Sequence, residues 1–213
     1  MKLPKFVTFT GIDDRTDLSR ADALARRYPI EWGMLYGPGE GDPLSRYPSI
    51  PTIDAVLEIS GDKALHLCAD TAREFAESKA LPADLEGSER VQKFGRFQVN
   101  KVRTINFSSY GPSQIILQCP AFDANANTVQ LFDVSAGRGL LPDRVPLLLP
   151  GQLVGYAGGM GPDTVVDYLS RIEGDGEFWI DMESHVRTNE WFDLDKVEQV
   201  CKAVFGNKGE ANA

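Results

Sequence analysis

Two adjacent glycines, Gly158-Gly159, follow an apolar run and precede Met160-Gly161-Pro162-Asp163. Lacking side chains, they let backbone N–H groups approach an anion closely. A helix starting near Pro162 would add the favourable potential of its N-terminus. The same pair also makes a plain tight strand-to-helix turn. Farther on, Ser184 and His185 follow Phe178-Trp179-Ile180-Asp181-Met182, where a hydroxyl and an imidazole could donate to the same anion. Asp133 ends the apolar run Leu131-Phe132. It is either a carboxyl on a functional rim or the cap of an Asp133-Val134-Ser135 turn. Cys68 and Cys119 also end apolar runs, where a free cysteine usually acts as a small apolar filler. Asp13-Asp14-Arg15 reads as a solvated turn and helix-start charge cluster. His66 and His185 are the only histidines, and with scattered carboxylates they make no metal signature. No dinucleotide fingerprint is present, so neither metal nor cofactor is expected.

The bulk properties narrow the classes further. The chain has 213 residues, with 22 Lys and Arg against 31 Asp and Glu, a formal charge of −9. That balance argues against nucleic acid, which needs clustered cations. The 42% apolar and 25% charged content is that of a globular protein. No stretch reaches the apolar length of a membrane span, and the N-terminus shows no signal-peptide pattern. Three widely spaced cysteines form no disulfide framework, so a reducing cytoplasm is expected.

Positioning the candidate residues requires elements, and eight short apolar runs supply them. They fall at residues 6–10, 30–36, 64–68, 96–100, 114–119, 129–134, 153–157 and 177–182. All have strand length and composition. Between them, Leu18, Ala21, Leu24 and Ala25 share a helical face. Thr71 to Ser78 reads as a helix capped by Asp70, and another helix begins at Pro162. Leu194, Val197, Val200, Cys201 and Val204 form the clearest stripe, behind Asp193 as N-cap. Eight strands with intervening helices predict a single (β/α)₈ barrel over residues 1–206, with 207–213 a tail. Residues 101–113 and 120–128 show poor helical periodicity, and an open doubly wound sheet is the alternative.

Several motifs then align in order along nearly the whole chain. Tyr156-Ala157-Gly158-Gly159-Met160-Gly161-Pro162-Asp163-Thr164-Val165 resembles the Ala-Gly-Gly-Leu-x-Pro-x-Asn-Val phosphate loop of phosphoribosylanthranilate isomerase. This family comprises (β/α)₈ enzymes of tryptophan biosynthesis. Ile180-Asp181-Met182-Glu183-Ser184-His185-Val186 is similar to the family's Val-Asp-x-Ser-Ser-Gly-Val after strand eight. Asp133 with Gly137-Arg138-Gly139 resembles the strand-six aspartate and its glycine-rich loop. Phe9-Thr10-Gly11-Ile12 stands where the family has Ile-Cys-Gly-Ile. Ser45-Arg46 resembles a Ser-x-Arg element after strand two, and Gln98 the glutamine of strand four.

The resemblance implies an intramolecular aldose–ketose rearrangement of a phosphorylated small molecule. Asp133 would be the general acid that protonates the ribose ring oxygen. Arg46, Gln98, Gly137 and Gly139 would contact substrate, and Gly158, Gly159, Ser184 and His185 would hold phosphate. Two departures stand out. His185 puts a ring where the family has a phosphate-loop glycine. Thr10 occupies the place of the catalytic cysteine base, and a threonine hydroxyl is far too weakly acidic to replace a thiolate unaided. Asp13, Asp14, Cys68 and Cys119 are the nearby substitutes. The alternatives are a lyase or epimerase on the same barrel, or a phospho-ligand-binding protein that has lost its base.

Overall fold

Each of the eight apolar runs forms a strand. The computed structural model describes residues 1–85, 89–135 and 139–206. Its strands are β1 (Val7–Thr10), β2 (Ile30–Tyr36), β3 (Asp62–Leu67), β4 (Arg96–Val99), β5 (Ser113–Cys119), β6 (Val129–Phe132), β7 (Leu153–Ala157) and β8 (Glu177–Met182). Successive strands pair in parallel. β8 returns to β1, with Val7 opposite Ile180, and closes the ring. The result is a single-domain (β/α)₈ barrel, whose closure leaves no strand edge exposed. Gly137 and the expected tail lie outside the described residues. No helix among the described residues is long and apolar enough to cross a membrane.

The helices are α1 (Leu18–Arg27), α2 (Ile50–Glu58), α3 (Ala69–Ser78), α4 (Glu89–Gln92), α5 (Val165–Ser170) and α6 (Leu194–Phe205). Asp193 caps α6 as expected, accepting from the N–H groups of Asp195 and Lys196. Two expected starts move. α3 begins at Ala69 with Cys68 at the cap position, so Asp70 lies in the first turn, where its charge favours the helix dipole. α5 begins at Val165 rather than Pro162, and covers only six residues. Thr164 explains the delay. Its hydroxyl accepts from Gly161 N at 3.0 Å and donates to Gly159 O at 2.8 Å, holding the preceding residues in a turn.

The aperiodic segments after β4 and β5 form no helix, and neither do the described residues between β6 and β7. Aromatic side chains from the loops cover the barrel there instead. Phe107 and Tyr110 each lie 5.4 Å from the Phe75 ring, and Phe122 lies 5.3 Å from Tyr156. Residues 109–110 also pair antiparallel with the start of β5.

Alternate residues on each strand face the interior. At the N-terminal end these are Thr8, Glu31 and Arg96, all buried. Arg96 Nε donates to Glu31 Oε2 at 2.7 Å, and a second guanidinium nitrogen contacts Oε1. The guanidinium also lies 4.2 Å from the Trp179 ring centroid and 4.7 Å from Phe6. Trp179 packs with Ile116, Leu131 and Ala157 in an interior apolar cluster. Gly155 makes room for it, since a Cβ there would lie 2.3 Å from the indole. Arg96→Leu would leave the Glu31 carboxylate buried without its partner, at a cost of about 3–5 kcal/mol in urea unfolding. Adding Glu31→Met recovers most of that loss, because no charge then stays buried. A double variant no more stable than the single one would contradict this.

Candidate active site

The C-terminal ends of the strands open into a cavity of about 590 Å³. Thr10, Arg46, Gln98, Asp133, Gly139, Gly158, Gly159, Ser184 and His185 all line it. Strand alternation accounts for most of this convergence. Thr10, Gln98 and Asp133 sit at inward positions at or just past the ends of β1, β4 and β6.

Asp133 is half-buried and receives three donors. Ser135 N and Oγ reach Oδ1 at 2.8 and 2.7 Å, and Gln118 Nε2 reaches Oδ2 at 3.3 Å. It therefore caps its turn and lines the cavity at once. Thr10 is buried, and its hydroxyl donates to Asp181 Oδ1 at 2.6 Å. Asp181 comes from the inward face of β8 and also lines the cavity. Burial pushes its carboxyl up to about 7; Glu183 and Glu31 add to the rise, while the Thr10 hydroxyl opposes it. A carboxyl in that range exchanges its proton near neutrality. Burial also raises Glu183, against the opposing charges of Arg187 and Arg46.

The residues considered as substitute bases are placed less favourably. Burial raises the Cys68 thiol and pushes Cys119 up to about 11, so neither yields thiolate readily. Asp13 is no solvated turn residue: it is 1% exposed and accepts from Phe192 N at 2.7 Å. It also lies 3.5 Å from the Arg187 guanidinium. Asp14 accepts from Ser49 N at the start of α2. These contacts make both aspartates braces of the loops.

At the expected anion site, Gly158 and Gly159 both have positive φ, +98° and +72°. A Cβ on Gly159 would lie 2.5 Å from Leu141 N, so the loop after β6 packs against this turn. Gly158 is more open, with its nearest neighbour, Leu140 O, 3.1 Å from such a Cβ. His185 Nε2 lies 2.9 Å from Gly139 O, a contact that requires the ring proton on that nitrogen. Arg46 is engaged by Glu190 Oε2 at 2.7 and 3.0 Å, with Glu183 3.5 Å away. The lining holds six carboxylates (Glu40, Asp42, Asp70, Asp133, Asp181, Glu183) and three basic side chains (Arg46, Arg73, Lys101). Arg73 is paired with Asp70.

Asp181 and Glu183 are the cavity-lining residues that sequence reading assigned no role. The available signal was the period-two alternation on β8, which puts Asp181 on the same face as Trp179. No protein-family model and no curated protein matches the chain.

The raised Asp181 carboxyl has a consequence for stability. Its ordinary value is 3.8 and its value in the fold is about 7. Between these, the folded chain holds a proton that the unfolded chain has released, so stability falls as pH rises through that window and levels off above it. Asp181→Asn removes this contribution. It is expected to raise stability at pH 8 relative to pH 5 by on the order of 2 kcal/mol, measured by urea unfolding at both values. An unchanged pH dependence would show that Asp181 is not the group responsible.

Proposed function

We propose that this chain is an acid–base enzyme of the phosphoribosylanthranilate isomerase type. It would carry out an Amadori-type aldose–ketose rearrangement of a phosphorylated amino-sugar. The observation that carries the reading is the pair of carboxyls, Asp133 and Asp181, held in different environments at one barrel mouth. Unlike environments for two titratable groups are the usual basis for dividing acid and base roles.

In this reading Asp133 delivers a proton to the ring oxygen as the C1–O bond breaks, and the amine lone pair forms the C1=N iminium. A base then removes the proton from C2, and those electrons form C1=C2 as the C=N pair returns to nitrogen. Tautomerisation of the resulting enol amine gives the ketone at C2. Every proton taken is returned, so no co-reactant enters. Asp181 fills the place of the base, with Thr10 orienting it. The turn at Gly158 and Gly159, with Ser184 and His185, receives the phosphate, and His185 then exchanges Gly139 O for a phosphate oxygen. Arg46 and Gln98 meet the rest of the substrate.

The excess of carboxylates on the rim and the Arg46–Glu190 pair favour a second reading: a lyase or epimerase using the same acid and base on a less anionic substrate. A turnover assay with phosphoribosylanthranilate generated in place separates the two. Wild type is expected to turn over, and Asp133→Asn to lower kcat by about 100-fold or more with KM little changed. Persisting turnover in Asp133→Asn would overturn the acid assignment. Turnover only in Thr10→Cys would mean that Asp181 does not act as base. Silence from wild type and Thr10→Cys alike would favour the second reading.

A further inference from the structure

The barrel interior holds a buried polar side chain, His66, that the reaction above leaves unused. Gly33 faces inward from β2, between Thr10 on β1 and His66 on β3. A Cβ placed on Gly33 would lie 2.6 Å from Thr10 Oγ1 and 3.0 Å from His66 Nε2. The two polar atoms are therefore no farther apart than the sum of those distances, across a place where any other residue would put carbon. His66 is 1% exposed and lines the cavity, yet its Nε2 has no hydrogen-bond partner among the described residues. A buried polar atom left so is destabilising, which a purely structural position would avoid.

The chemistry of the niche limits what it can receive. Burial, with the Arg96 charge adding to it, pushes the imidazole down to about 3, so the ring is neutral at physiological pH. A neutral ring offers one N–H and one lone pair, and suits an uncharged oxygen. On the other side, the Thr10 hydroxyl is held by Asp181 at 2.6 Å, so a ligand anion here would face a carboxyl.

We infer that Gly33, Thr10 and His66 form a subsite for one uncharged ligand oxygen, a hydroxyl or carbonyl, hydrogen-bonded by His66 Nε2 at the inner end of the cavity. The subsite needs a small oxygenated ligand and does not depend on the isomerisation, so it can hold where that reading fails. It sets the ligand oxygen beside Thr10 and Asp181.

The test is ¹⁵N spectroscopy of the full chain labelled at histidine, with ribitol and ribitol 5-phosphate as probes. There are two histidines, and His66→Leu assigns the signals. The Nε2 resonance of His66 is expected to move on titration by more than its line width. Movement with both probes places the subsite independently of phosphate. Movement with the phosphate ester alone supports the subsite and the anion site together. No movement with either overturns the inference. His66→Leu is expected to keep or raise Tm, since it removes an unpartnered buried atom, while weakening probe affinity about tenfold. Gly33→Ala, whose Cβ would lie 3.0 Å from His66 Nε2 and 2.6 Å from Thr10 Oγ1, is expected to weaken affinity similarly. A lowered Tm in His66→Leu, or unchanged affinity in both variants, assigns His66 a structural role and overturns the inference.

Discussion

The Glu31–Arg96 pair fills the barrel interior below the cavity and adds its charges to the effect of burial on the layer above. A charge placed there alone would carry a desolvation penalty of several kcal/mol. As a bidentate pair, with Thr8 donating to Glu31 at 2.8 Å and two aromatic faces against the guanidinium, it is satisfied well enough to persist. Its influence reaches the next inward layer. Arg96 helps keep His66 neutral and partly offsets the rise of the Asp181 carboxyl, while Glu31 reinforces that rise. The cavity floor thus combines a neutral imidazole with a carboxyl that titrates near neutrality, and each owes part of its state to a pair it does not touch.

The mouth is organised by a second constraint, the loop that follows β8. Glu183 approaches Arg46 from the loop after β2, and Glu190 binds the same guanidinium. His185 reaches Gly139 in the loop after β6. Arg187 is buried and donates to Gly11 O at 2.6 Å beside Asp13, in the loop after β1. One segment therefore ties three other loops to itself. This clamp matters most on the side of β6, where no helix follows the strand among the described residues to hold the rim.

Much of the fold was legible because its signals are local. All eight strands coincide with apolar runs, and Asp193 caps α6 where a short polar residue precedes an apolar stripe. The misplaced start of α5 came from side-chain bonding that sequence pattern does not display, with Thr164 holding Gly159 and Gly161 in a turn. The site was legible in outline, since the ends of strands in such a barrel converge on one rim. What escaped depends on closure. Asp13 reads as solvated because its neighbours are charged, and only the distant Arg187 and Phe192 N bury it. Asp181 reads as an ordinary strand residue until ring closure sets it against Thr10. The unpartnered nitrogen of His66 is likewise invisible in the sequence, because it depends on what the neighbouring strands place around the ring.

Threonine at position 10 suits the carboxyl that it faces. A thiolate there would stand at hydrogen-bond distance from the Asp181 carboxylate, and two anions that close cannot both ionise near neutrality. The site therefore accommodates one acidic group in this corner, not two. Threonine is compatible with an ionising Asp181 because its hydroxyl donates to the carboxylate and adds no charge. The hydroxyl also lowers the carboxyl somewhat, against a burial that raises it further. For the same reason, a thiol introduced at position 10 meets a carboxyl that opposes its ionisation.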